Sequence, residues 1–124
     1  MQELFLVICA MTALNCSDVN VYYHGLSFDT HAIAAIDIHG DYHIVTDPNM
    51  RRESVPFKTR LLVHEIAYLL VYEIDPTNAT HNEVFDDICE ELSIRVGVRP
   101  SKTCAAYSGT PSYWNTTAHY RRDR

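Results

Sequence analysis

The chain is poor in basic residues, has no CxxC cysteine pair and has no apolar run long enough to cross a bilayer. The sequence has 10 Lys and Arg and 16 Asp and Glu. The resulting net charge of −6 excludes a protein that binds nucleic acid through its overall charge. Without a CxxC pair, a zinc ribbon or thioredoxin-type redox site has no support. We also find no helix-turn-helix segment, internal repeat or interdomain linker.

The 124 residues have an ordinary apolar content of 47%, which predicts one globular domain with its own core. Charge is unevenly distributed along it. Residues 1–94 hold 15 acids and 4 bases, net −11, whereas residues 95–124 hold 6 bases and 1 acid, net +5. We therefore predict a single domain over residues 1–100 and a basic, loosely ordered tail over residues 101–124.

The cysteines and the N-terminal segment indicate in which cellular compartment the protein is found. Cys9 and Cys89 lie in helical apolar patterns and are predicted to be buried thiols, although the even count of four leaves two disulfides as an alternative. The apolar N-terminus contains Glu3 and has no preceding basic residue, so we interpret it as a core helix rather than a signal peptide. Both interpretations favour a cytoplasmic protein.

Hydrophobic periodicity and turn residues predict the element order α-β-β-β-α-α. Gly40 marks a hairpin between the second and third strands, Ser54 and Pro56 begin a buried helix, and Gly97 ends the last helix. A Thr80–Glu83 capping box begins that last helix. The predicted helices cover residues 2–15, residues 54–74, and the segment from the Thr80 capping box to about residue 96, and the strands cover residues 19–23, 32–38 and 42–46. The fold class is α+β, with a small antiparallel three-stranded sheet.

A possible catalytic motif lies in the buried helix, where residues 64–68 are His-Glu-Ile-Ala-Tyr. In the HExxH motif two histidines four residues apart bind one zinc ion from the same helix face, and the glutamate is the general base. His64 and Glu65 match the first two positions. Tyr68 occupies the second ligand's place, and a phenol ligates zinc only at the cost of losing its proton. The alternative is that His64 and Glu65 are core residues with hydrogen-bond partners.

An acidic ligand would come from the last helix. On a wheel of 100° per residue, Asp87 and Glu91 lie at the edge of the apolar face and are predicted to meet the His-Glu helix, with Glu83 next. The alternative for these acids is a solvated helix face. His81 is the best substitute for the missing second ligand. His39 and His43 should face each other across the hairpin turn as an incidental surface pair.

The course of the chain resembles the small HExxH metallopeptidase-like domains of phages and mobile elements, the ImmA/IrrE group. The segments that carry the resemblance are "AIAAIDIHGDYHIVTD", "RRESVPFKTRLLVHEIAYLL" and "HNEVFDDICEELSIRVGVRP". The resemblance covers about residues 2–100. It implies a zincin-like core in which the two C-terminal helices hold the metal.

By that resemblance, His64 is the first zinc ligand, Glu65 is the catalytic base, and an acid among Glu83, Asp86 and Asp87 is the last ligand. The family often cleaves a repressor protein. Tyr68 favours a degenerate domain that binds a partner protein as a regulator or inhibitor, with weak or absent zinc. An active zinc peptidase and an unrelated α+β binding domain are the alternatives.

The basic tail is a candidate interaction arm for a protein partner, and its candidate binding residues are Tyr113, Trp114, Arg121 and Arg122. We expect no direct nucleic-acid binding and no membrane association. For a phage-encoded protein, the expected location is the cytoplasm of the host cell.

Overall fold

The helices and strands follow the predicted order in a computed structural model, which describes residues 1–26, 30–75 and 83–105. The elements are helices α1 (Gln2–Cys9), α2 (Val55–Ile74) and α3 (Glu83–Val96), strands β1 (Val19–Tyr23), β2 (Ala32–Ile36) and β3 (Tyr42–Thr46), and a π-helical turn (Ser101–Ala105), hereafter the π turn. Short 3₁₀ turns precede β1 and α2. The fold is α+β, as predicted.

The sheet is mixed rather than antiparallel throughout. Its order is β1-β3-β2, so β3 is the central strand. Strands β2 and β3 form the predicted antiparallel hairpin, with Ala34 opposite Ile44. Strand β1 pairs with β3 in parallel, with Val21 opposite Ile44. The hairpin signal at Gly40 fixes how β2 and β3 pair, but nothing local to β1 sets its direction.

The hairpin turn is built around the carboxylate of Asp37. Its Oδ1 accepts hydrogen bonds from the backbone N–H groups of His39 (2.8 Å) and Asp41 (3.0 Å). Gly40 has a φ of +84°, a conformation that costs glycine little. Because the turn begins at Asp37, β2 ends at Ile36 and not at Ile38, which is 72% exposed.

Helix α1 belongs to the core, as predicted, but it is shorter than residues 2–15. Phe5 and Ile8 are fully buried in the main hydrophobic cluster. Thr12 ends the helix because its hydroxyl donates to the Cys9 carbonyl (2.7 Å) and accepts from the Leu14 N–H (3.2 Å). A disulfide between Cys9 and Cys16 then closes the loop.

Helix α2 is the centre of the structure. It begins as predicted, with the Ser54 hydroxyl accepting from the Phe57 N–H (3.3 Å) and Pro56 in the first turn. All residues from 61 to 69 are buried, because α2 packs against α1, β2, α3 and the π turn. Even this helix is not apolar enough to span a membrane, and no other helix of the described segments is.

The C-terminal end of the fold is tied down by a second disulfide, Cys89–Cys104. Gly97 has a φ of +91° and donates its N–H to the Ser93 carbonyl, which ends α3 where the sequence predicts. The chain then enters the π turn, where Cys104 is 8% exposed and Thr103 fully buried. The ordered fold therefore continues beyond residue 100.

The prediction of buried thiols at Cys9 and Cys89 is wrong, since both are in disulfides and the chain has no unpaired cysteine. Both side chains are fully buried, as the apolar pattern indicates. The periodicity of apolar residues indicates that these two cysteines are buried, but it does not indicate whether they form disulfides. Each pairing partner, Cys16 or Cys104, lies beyond the end of the helix that carries the buried cysteine.

Candidate functional site

His64 and Glu65 project from the middle of α2 into two different contacts. Their side chains are 1% and 2% exposed, so neither reaches the surface. Successive helical residues point about 100° apart, which directs His64 towards α3 and the π turn and Glu65 towards the sheet. The two side chains therefore do not converge on a shared open cleft.

The His64 imidazole is fixed by the π turn and by α3. Its Nδ1 lies 2.9 Å from the carbonyl oxygen of Thr103. A carbonyl only accepts hydrogen bonds, so Nδ1 carries the proton in this contact. The ring of Phe85 packs against the imidazole at a centroid distance of 4.8 Å. Metal-binding histidines are also commonly oriented by a backbone carbonyl that accepts a hydrogen bond from one ring nitrogen. This contact alone therefore does not show whether His64 is a metal ligand or a core residue.

Glu65 is a buried acid that meets strand β2. It accepts a hydrogen bond from the backbone N–H of Ala34. Its Oε2 has no hydrogen-bond partner in the described segments. Burial raises the pKa of the Glu65 carboxyl well above its usual range, and the Ala34 N–H only partly opposes the shift. The neutral form of Glu65 is therefore favoured. The carboxyl is also enclosed by protein, whereas a general base must contact a water molecule.

Tyr68 lies one turn after His64 and is 2% exposed. Its ring belongs to the main hydrophobic cluster, together with Ile66 and Leu69. The side chain at the second ligand position is thus a core aromatic, which agrees with the apolar character of the whole helix.

The acids of α3 lie on its exposed surface and not against His64 and Glu65. Glu83, Asp87 and Glu91 are all exposed, and Glu91 pairs with Arg95 at 2.8 Å. Asp87 and Glu91 therefore do not meet His64 and Glu65 as predicted, although Glu91 lies beside the C-terminal end of α2.

The reason is a rotation of α3. Its buried side chains are Phe85, Cys89, Leu92 and Ser93. On the 100° wheel these centre about 125° from Val84, which places Asp87 about 175° away on the opposite side. Val84, which the sequence places on the apolar face, is 43% exposed. The disulfide to Cys104 and the buried Ser93 set this rotation.

The described residues contain no cluster of three His, Cys, Asp or Glu side chains arranged to hold a metal ion. Of the predicted ligands, His64 and Tyr68 are brought close on one helix face, whereas Glu83 and Asp87 are on the outer face of α3. His81 and the tail residues Tyr113, Trp114, Arg121 and Arg122 lie outside the described residues, as does most of the capping box.

A second polar cluster lies on the sheet. His43 Nε2 contacts Asp37 Oδ2 at 2.8 Å, and His43 Nδ1 is 3.3 Å from the Tyr22 hydroxyl. The His43 contact and two backbone N–H groups lower the pKa of Asp37 to about 2. The predicted partner of His43, His39, instead gives its backbone N–H to Asp37. The cluster joins all three strands, because Tyr22 is on β1, His43 is on β3 and Asp37 follows β2.

The surface carries an apolar groove that the sequence does not reveal. It has a volume of about 310 Å³ and lies between the end of α1, the end of α2 and α3. Most of its lining is apolar, and its polar lining residues are Thr12, Glu73, Glu91 and Arg95. The apolar lining is formed by Met11, Ala13, Leu70, Ile74, Ile88 and Leu92.

No family model, curated protein or solved structure matches this chain.

Proposed function

We propose that this chain is a protein-binding domain with a degenerate metallopeptidase-like helix, which acts on its partner by binding and not by hydrolysis. The observation that carries the proposal is the enclosure of His64 and Glu65. Hydrolysis of a peptide requires that a water molecule and the scissile bond reach the base and the metal together. Here each side chain is closed off by backbone groups of a different element.

The state of Glu65 supports the same conclusion. A general base must be ionised and within reach of the proton that it takes. The shift of the Glu65 pKa favours the neutral form, and one carboxyl oxygen is engaged by the N–H of Ala34. Glu65 therefore resembles a buried structural acid more than a base on metal-bound water.

The apolar groove is the surface that favours a protein partner. Ile74 and Met11 both line it and are 66% and 40% exposed. Contiguous exposed apolar side chains with a polar edge are typical of protein interaction sites. We therefore expect the partner protein to bind the groove through apolar side chains, as the partner of a regulator or inhibitor domain.

The two disulfides favour an oxidising compartment for the form described here, in place of the predicted cytoplasm. Disulfides persist in oxidising environments and are rare where thiols are kept reduced. Alkylation of the protein in its source cells, followed by mass spectrometry, should find no free thiol. Alkylation of all four cysteines would instead support the predicted cytoplasmic location.

A hydrolysis assay tests the catalytic half of the proposal. The oxidised protein is incubated with zinc and an unfolded, fluorescently labelled casein, beside a Glu65→Gln variant. Both should release label at the same background rate. Zinc-dependent cleavage that Glu65→Gln abolishes would instead establish an active peptidase.

Site-specific photo-cross-linking tests the binding half. A photoreactive residue replaces Ile74 in the groove or, as the matched control, Ile38 at the hairpin turn, which is similarly exposed. One partner should cross-link at position 74 and not at position 38. Excess native protein should compete the product away, whereas excess Ile74→Asp should not. Equal cross-linking at both positions would contradict a partner that binds the groove.

A further inference from the structure

We propose that the Cys89–Cys104 disulfide is a redox latch that holds the π turn over His64, so that reduction of this disulfide exposes the imidazole. The proposal rests on the closed position of His64 and is independent of the partner-binding function. It assigns a regulatory role to a bond that would otherwise only add stability.

The residue that holds His64 is next to the disulfide in the chain. Thr103, whose carbonyl holds His64 Nδ1, is the immediate neighbour of Cys104. The disulfide fixes Cys104 to α3, and Ser93 Oγ lies 3.6 Å from Cys104 Sγ. The position of the Thr103 carbonyl is therefore set by contacts that pass through Cys104.

Within the part of the chain that the structure describes, three further hydrogen bonds of the π turn are local. The N–H and hydroxyl of Thr103 and the N–H of Lys102 all donate to the carbonyl of Arg99. These bonds hold the shape of the turn but do not attach it to α2. When Cys104 is released from Cys89, the turn loses the covalent link that keeps it against His64.

The same disulfide also positions the other wall around His64. Cys89 is one helical turn after Phe85, whose ring packs on the imidazole. The disulfide therefore joins two elements that contact His64, α3 and the π turn. Glu65 is covered by β2 instead and should stay buried when the latch opens.

Reduction requires a dithiol, for example of the thioredoxin class. A thiolate of the reductant attacks the sulfur of Cys104, a residue that is 8% exposed, and not that of Cys89, a residue that is fully buried. The Cys89–Cys104 bond breaks, Cys89 leaves as a thiolate and takes up a proton, and a mixed disulfide forms on Cys104. The second thiol of the reductant then displaces Cys104, so two electrons and two protons pass to the protein as the reductant becomes a disulfide.

Carbethoxylation of histidines by diethyl pyrocarbonate tests the latch, with each site quantified by peptide mass spectrometry. The exposed His24 on the same chain is the internal standard. In the oxidised native protein His64 should react far more slowly than His24. In a Cys89→Ser/Cys104→Ser variant, and in native protein treated with dithiothreitol, the rate at His64 should rise by about ten-fold or more.

The Cys9→Ser/Cys16→Ser variant is the matched control, because it removes the other disulfide and should leave His64 slow. Hydrogen exchange of the reduced protein should quicken in residues 101–105 while the amides of residues 61–69 stay protected. Protection of His64 in a folded Cys89→Ser/Cys104→Ser variant would overturn the proposal. Loss of protection throughout α2 would also overturn it, because the disulfide would then hold the whole fold rather than one turn.

Discussion

His64 and Thr103 are 39 residues apart in the sequence, yet the imidazole Nδ1 lies 2.9 Å from the Thr103 carbonyl oxygen. This bond joins the central helix to the π turn after α3. It satisfies one polar atom of a buried histidine and one buried carbonyl together, which is the condition under which such groups are tolerated in a core. The histidine that begins the HExxH-like motif is thus part of the packing.

Replacement of His64 by Leu should destabilise the protein. The change leaves the buried Thr103 carbonyl without its hydrogen bond, which typically costs about 1–3 kcal/mol of unfolding free energy. His24→Leu is the control, because His24 is exposed and such changes usually stay within about 0.5 kcal/mol. Urea denaturation of the three proteins measures the difference. Equal stability of His64→Leu and native protein would show that the contact contributes nothing.

Replacement of Glu65 by Gln should remove a pH-dependent destabilisation. The pKa of Glu65 is raised in the folded state, so above its ordinary value of 4.5 the unfolded state ionises first. The native protein should therefore lose stability as pH rises from 4.5 towards the folded-state pKa, with a slope of up to about 1.4 kcal/mol per pH unit from this residue.

Urea denaturation between pH 4.5 and 8 tests this prediction. Stability of Glu65→Gln relative to native protein should increase with pH, because glutamine does not ionise and can still accept from the Ala34 N–H. Glu90→Gln, on the exposed face of α3, should instead run parallel to native protein. A constant difference between Glu65→Gln and native protein across this range would count against the raised pKa.

Removal of either disulfide should lower stability without abolishing the fold. The bonds close loops between cysteines 7 and 15 residues apart. Chain entropy then gives losses of about 2.5 kcal/mol for Cys9→Ser/Cys16→Ser and about 3 kcal/mol for Cys89→Ser/Cys104→Ser. Denaturation without reductant measures both. A variant that melts without a cooperative transition would show that its disulfide is required for folding.

The Asp37–His43 pair should contribute to stability at neutral pH and lose its effect in acid. The folded-state pKa of Asp37, about 2, lies below its ordinary 3.8, so the contribution is complete above pH 3.8 and is lost as pH falls through about 2. Asp37→Asn should therefore melt at a lower temperature than native protein at pH 6, and this gap should close as pH falls through about 2. Asp41→Asn is the exposed control in the same turn. A Tm gap between Asp37→Asn and native protein that persists at pH 2 would contradict the ionic origin of the effect.

Local signals in the sequence predicted most of the fold. Ser54, Pro56 and Gly97 mark helix ends through interactions within one turn, and Gly40 marks the hairpin through a backbone conformation that it adopts easily. The near-continuous apolar run of α2 predicted its central burial. In each case the cause lies within a few residues of the effect, so one sequence suffices.

What the sequence did not predict depends on distant contacts. The rotation of α3 is set by Cys104 and Ser93, and an apolar pattern that includes Val84 and Ile88 cannot distinguish the two orientations. Four cysteines allow three pairings, and their spacing selects none. The parallel alignment of β1 with β3 likewise has no local signal. These contacts decide the candidate site, because they turn Asp87 away from α2 and bring Thr103 to His64.

We propose that His64 is a hydrogen-bonded core residue of the oxidised protein rather than a metal ligand. Long-range ¹H–¹⁵N correlation spectra of the imidazole test it most directly, recorded with and without equimolar zinc. We expect a proton on Nδ1 of His64 in both samples and no change in either ring nitrogen on addition of zinc. A zinc-induced shift of the His64 ring nitrogens at one ion per chain, absent from His64→Leu, would contradict it.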